Sequence, residues 1–101
     1  MFSGGSYEDV ARWLRNFLAS HAKREDPRVE VVFEAGDARE GVSYAARLRR
    51  GGRLSAAMEF DYKEVADNRG ALAWCAALAQ RTREQAKELL ASTGLDDAHA
   101  R

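Results

Sequence analysis

Arg47, Arg49, Arg50 and Arg53 put four guanidinium groups within seven residues, on the two arms of a turn marked by Gly51-Gly52. A guanidinium is permanently charged and forks onto phosphate or carboxylate. A hairpin tip of this kind is suited to an anion, a nucleic-acid backbone or an acidic partner. No aromatic residue is interleaved to stack on bases, so contacts to a nucleic acid would fall on its phosphates. The competing role is structural: charges at a hairpin end keep a sheet edge from aggregating.

The remaining chemistry-bearing residues are scattered. Glu59 and Asp61 share one side of a strand, as do Glu30 and Glu34. A general acid–base pair needs a cleft that pushes two pKa values apart, and an open sheet face supplies none. His21 ends an apolar helical stripe with no serine or cysteine nucleophile placed beside it in sequence. Cys75 is the one cysteine, so no internal disulfide forms, and on a buried helix face it acts as a small hydrophobe. His99 is distant, so metal-ligand spacing is missing. Neither Gly4-Gly5 nor Gly51-Gly52 sits in a strand–loop–helix unit that would cradle phosphate. The expectation is a protein with no catalytic residues, no metal and no cofactor.

Composition bounds the partners. A chain of 101 residues is one domain, long enough for one core without disulfide or metal support. Sixteen basic residues cancel sixteen acidic ones, so net charge gives no reason to expect nucleic acid or an anionic membrane. Thirteen of the basic residues are arginine, and alanine is abundant, which is first a matter of genome composition. The strongly apolar stretch 71–79 is far short of the ~20 residues that span a bilayer, and no signal-type N-terminus is seen. A cytoplasmic protein without membrane contact is expected.

The elements that position these residues follow from hydrophobic period. Ser6 is an N-cap with Asp9 three residues on. Val10, Trp13, Leu14, Phe17, Leu18 and His21 then recur at helical spacing over 7–22, and Pro27 forbids continuation. Residues 28–35, 41–49 and 53–62 alternate every two positions, as in an antiparallel sheet packed on one face. Val29, Val31, Phe33 and Ala35 share the inward face, with Val42, Tyr44, Ala46 and Leu48, then Leu54, Ala56, Met58, Phe60 and Tyr62. Keeping apolar rows together sets Leu48 opposite Leu54 through a three-residue loop, Arg50-Gly51-Gly52, with a glycine bulge. The first hairpin pairs Ala35 with Val42 and Phe33 with Tyr44. Residues 61–67 fit either a loop or a helical turn capped by Asp61 with Glu64. A last helix starts between Asp67 and Arg69, buries Leu72, Cys75, Leu78, Ala79, Thr82, Ala86, Leu89 and Leu90, and stops at Gly94.

The predicted fold is therefore α+β, a two-layer αβββα sandwich: a three-stranded antiparallel meander with two helices on one face. Residues 1–5 form a flexible start, 6–95 the domain and 96–101 a disordered tail. The second helix outruns the sheet, Trp74 sits at the edge of its buried face, and the outer sheet face is small-residued around Val32, Ala45 and Ala57. These features predict a small non-enzymatic interaction protein, a homodimer, with Trp74, Val32, Ala45 and Ala57 as candidate interface residues. The first alternative is nucleic-acid backbone binding through Arg47, Arg49, Arg50 and Arg53. The second is an apolar-ligand carrier with a cavity among Trp13, Phe17, Tyr44 and Phe60.

The element order is also that of double-stranded-RNA-binding domains and YbaB-type nucleoid-associated proteins. Ala66-Asp67-Asn68-Arg69-Gly70-Ala71 lacks the lysine-rich helix start of the former. Residues 41–62, a hairpin turning at glycine and ending in an acidic strand exit, somewhat resemble the latter, whose members are dimeric. A first helix carrying Trp13, Phe17 and Leu18 departs from their long polar one. Neither family is assigned.

Overall fold

A computed structural model describes residues 6–35 and 37–99, the side chains of Asp37 and of 92–99 excepted. In order it holds α1 (Tyr7–Ala22), β1 (Glu30–Glu34), a 3-10 turn (Asp37–Arg39), β2 (Ser43–Arg50), β3 (Arg53–Leu54), β4 (Met58–Asp61), α2 (Tyr62–Asn68) and α3 (Leu72–His99). The fold is mixed α+β. β1, β2 and β3 form an antiparallel meander, and β4 continues the β3 side by pairing with β2.

Helix α1 matches its predicted bounds. The Ser6 hydroxyl accepts from the Asp9 N–H and the Asp9 carboxylate accepts from the Ser6 N–H, a closed capping box. Val10, Leu14, Leu18 and Ala22 are buried, one residue per turn against the sheet. Trp13, Phe17 and His21 lie half-buried on the flank that meets α3.

The sheet keeps its expected order but not its expected register. β1 pairs with β2 as Phe33 opposite Ala46 and Val31 opposite Leu48, two residues away from the predicted pairing. The slip is even, so every side chain within the ladder keeps its face, but Ala35 and Val42, expected inward, fall outside the ladder and are exposed. The extra length goes into the 3-10 turn, closed by Gly41 at φ 76° and by the Val42 N–H on the Arg39 carbonyl.

The second hairpin departs further. Arg50 faces Arg53 and Arg49 faces Leu54, so Gly51-Gly52 is a two-residue turn. Gly51 alone has a positive φ, 63°, as a type II′ turn requires of its first central residue. Leu54 is thereby turned out, 54% exposed, and Ala56 is exposed rather than inward. Residues 55–57 leave the ladder and restore the inward row at Met58 and Phe60. Ser55 makes the break tolerable. Its N–H donates to the Leu48 carbonyl, and its hydroxyl accepts the Leu48 N–H at 2.9 Å, where the next backbone carbonyl would have been. Gln85 of α3 donates to the Ala56 carbonyl at 2.8 Å. Ser55→Ala is expected to cost about 1–3 kcal/mol, because it orphans a buried N–H. Ser55→Thr, which keeps the oxygen, should recover most of that in urea unfolding.

Residues 61–67 resolve as helix. The Asp61 carboxylate accepts from the Glu64 N–H and caps α2. α3 then starts at Leu72, later than predicted, because Arg69-Gly70-Ala71 turns the chain first. Leu78, Thr82, Ala86 and Leu89 are buried as expected. Leu72 is not: as the first residue of α3 it is 88% exposed. α3 also passes through Gly94, where a stop was expected, as far as His99. Glycine inside a helix costs only about 1 kcal/mol relative to alanine, and no proline follows to break it. Residues 1–5 and 100–101 lie outside the described residues. Both long helices cover the inner sheet face. Two clusters fill the layer between: one around Leu14, Leu18, Tyr44 and Phe60, the other around Ala22, Val29, Leu48, Ala86 and Leu89.

Candidate interaction surfaces

The hairpin brings its four arginines to one end of the sheet, where each is tied to its own chain. Arg49 bonds Glu30 across the strands at 2.6 Å, and Arg50 reaches Asp26 at 3.2 Å. Arg47 donates to the Ser55 carbonyl at 3.3 Å, and Arg53 is also engaged. Asp26 is only 12% exposed, and its carboxyl is pulled down to about 2 by the Arg28 N–H, the Arg28 guanidinium and Arg50. Arg49 holds Glu30 below the usual carboxylate range. The hairpin and α3 flank an open hollow of about 840 Å³ that also carries Glu88. Its charge is mixed.

The outer sheet face carries Val32, Ala45 and Ala57 as predicted, but it is not bare. Arg39, from the loop before β2, lies across it. Its guanidinium forks onto Glu59 at 2.9 and 3.3 Å, approaches Glu34 at 3.7 Å and bonds the Ser43 hydroxyl at 3.2 Å. Glu34 and Glu59 face Ala45 from either side, and Ala45 is 3% exposed. Arg39 lowers the Glu59 pKa, while Glu59 raises that of Arg39. Val32 and Ala57 remain half-exposed. Nothing in local sequence marks Arg39, because its partners come from two other strands.

Trp74 stacks on Trp13 at 6.4 Å, and its indole N–H donates to Glu64 at 3.2 Å, leaving it half-buried between α1, α2 and α3. Trp13 in turn stacks on Phe17 at 5.0 Å. Tyr44 and Phe60 lie in the closed core, so the four aromatic residues of the carrier reading do not surround a common cavity among the described residues. Cys75 bonds the Arg69 carbonyl at 3.4 Å. Among the described residues, no three of His, Cys, Asp and Glu converge as metal ligands would. No helix among them is long and apolar enough to cross a membrane.

His21 packs on Phe17 with its Nδ1 buried and without a hydrogen-bond partner. Burial, then Arg24 and Arg83, lower its pKa from 6.5. The unfolded chain binds that proton more readily, so stability is expected to decline as pH falls through 6.5 and to level off below the folded pKa. Urea midpoints across this range should lose that decline in His21→Phe.

A further surface, which the sequence did not single out, is the β1 edge, one of the two edges of the sheet. The Ser55 N–H bonds to Leu48 and the Tyr62 N–H to Val42, so even-numbered residues of β2 bond toward β3 and β4. The odd-numbered ones bond to Glu30, Val32 and Glu34 of β1. Val31 and Phe33 therefore point their N–H and C=O groups at an edge that no strand among the described residues occupies. Val29 is guarded: Lys23 caps its carbonyl at 2.8 Å and the Asp26 carbonyl accepts its N–H. Beside this edge runs an open groove of about 430 Å³, lined by Phe33 and Ala35 of the sheet side, by Glu40 from the loop before β2, and by Tyr7, Glu8, Ala11, Arg12 and Arg15 of α1. Arg12 pairs with Asp9 at 3.3 Å, whereas Glu8 and Arg15 have no partner among the described residues.

Comparison with protein-family models, with curated proteins and with solved structures finds no match to this chain.

Proposed function

We propose that this chain is a small non-enzymatic interaction protein that works as a homodimer. The observation that carries the reading is the β1 edge, with main-chain groups of Val31 and Phe33 directed outward above an open groove. An unpaired edge is a template for strand addition. The second support is α3. At 28 residues it is about 42 Å long, and it continues nine residues past Leu90, which still packs on the core. Half-buried Trp74 adds a candidate anchor.

The arginine hairpin favours this reading over nucleic-acid binding, because a guanidinium already held by a carboxylate must give up that partner to take a phosphate. Sedimentation equilibrium of the pure protein, with and without a short mixed-sequence DNA duplex at low salt, tests both. A dimer indifferent to DNA is the expected result. A monomer at high micromolar concentration overturns the homodimer. A DNA-dependent mass increase that salt abolishes moves the function to Arg47, Arg49, Arg50 and Arg53.

A further inference from the structure

The homodimer reading leaves its interface open among α3, Trp74, the outer sheet face and the β1 edge, and one pair of charges selects among them. Glu8 and Arg15 lie seven residues apart on α1, on one helical face, separated by about 10 Å along the axis. Both line the β1 groove and neither has a partner among the described residues. An acid and a base so placed on one helix are self-complementary under a two-fold rotation, which sets two such helices antiparallel with each acid facing the other's base. The midpoint of the pair falls at Ala11–Arg12. The groove places that stretch beside Phe33.

We propose that the β1 edge is the interface between two copies of this chain, joined antiparallel about Phe33 into one continuous sheet, with Glu8 of each copy against the partner's Arg15. This rests on the homodimer reading and names its contact surface. In that register Phe33 bonds the partner's Phe33, and Val31 faces the partner's Ala35. On the outer face Val32 meets the partner's Glu34, so no like charges are opposed. The neighbouring registers are worse. Centring on Val32 sets Glu30 against the partner's Glu34. Centring on Val31 needs the edge groups of Val29, which Lys23 and Asp26 already hold. Ala11, at the centre of the helix face, is small enough to let the two α1 helices close over the groove.

Charge reversal tests the assignment, because each ion pair joins different copies. Arg15 is exposed and mid-helix, so R15E leaves the fold intact, which far-UV circular dichroism checks. Sedimentation equilibrium is expected to show R15E dimerising roughly tenfold more weakly than the natural chain, since it creates two like-charge contacts. E8R should weaken the dimer similarly, and the double variant E8R/R15E should regain most of the loss. A dimer unaffected by R15E overturns this interface and leaves the homodimer reading standing. A natural chain that stays monomeric at high micromolar concentration overturns both.

Discussion

Tyr44→Ala is expected to lose about 3–5 kcal/mol of stability, the cost of emptying a large aromatic site in a packed core. Tyr44 is fully buried and is the hub of four rings. It stacks on Tyr7 at 4.6 Å and meets Phe33 at 5.7 Å and Tyr62 at 6.3 Å. These side chains come from α1, β1, β2 and α2, so one truncation loosens four elements at once. The polar ends are exchanged as well. The Tyr44 hydroxyl donates to the Tyr7 carbonyl at 2.8 Å, and the Tyr7 hydroxyl donates to the Ser43 carbonyl. Burial, reinforced by Tyr7 and Tyr62, raises the Tyr44 pKa, so the phenol stays protonated and keeps donating. Tyr44→Phe isolates that hydrogen bond and should cost only about 1 kcal/mol. Urea unfolding followed by tryptophan fluorescence measures both. A loss below about 1 kcal/mol for Tyr44→Ala would mean that the ring cluster is not the organising contact.

Leu48→Ala is the second large effect, at about 2–5 kcal/mol. Leu48 is fully buried in the cluster that seats the second half of α3, against Ala22, Val29, Ala86 and Leu89. Its loss should fall unevenly: amide protection around Ala86 and Leu89 should drop more than protection around Leu14. Leu54→Ala is the informative partner. The apolar pattern alone puts Leu54 inward, opposite Leu48, where its truncation would cost as much. The observed register puts it 54% exposed, beside Arg49, where the change should stay within about 0.5 kcal/mol. Equal losses at the two positions would restore the three-residue turn.

That contrast shows how far the pattern could be read. Helix α1 was legible to the residue, because a cap, a spacing of three to four and a proline all agree. Faces within β1 and β2 were legible too, since a shift by two residues preserves them. The β3–β4 side was not, because alternation treats 53–62 as unbroken. The two-residue glycine turn displaces the ladder by one, and the break at Ser55 displaces it by one more, so Tyr44 faces Phe60 rather than Met58 and the inward face is recovered two residues out of register. Only the hydrogen bonds of Ser55 and Gln85 make that break affordable. The candidate sites divide in the same way. The arginine hairpin is plain in sequence, but its partners Glu30 and Asp26 come from elsewhere in the chain and alter what it offers. Glu8 and Arg15 are also plain, as an acid and a base two turns apart. Their meaning depends on which strand edge lies beside them.

Amide hydrogen exchange of Val31 and Phe33 as the protein is diluted tests the central claim most directly. Both N–H groups point out of the sheet, so in a lone chain they exchange freely, while those of Val32 and Glu34 are held by β2. If two copies pair along β1, Val31 and Phe33 will be protected at high concentration and lose that protection on dilution, in step with the change in mass. Rapid exchange at these two residues in a sample shown to be dimeric would contradict pairing along β1.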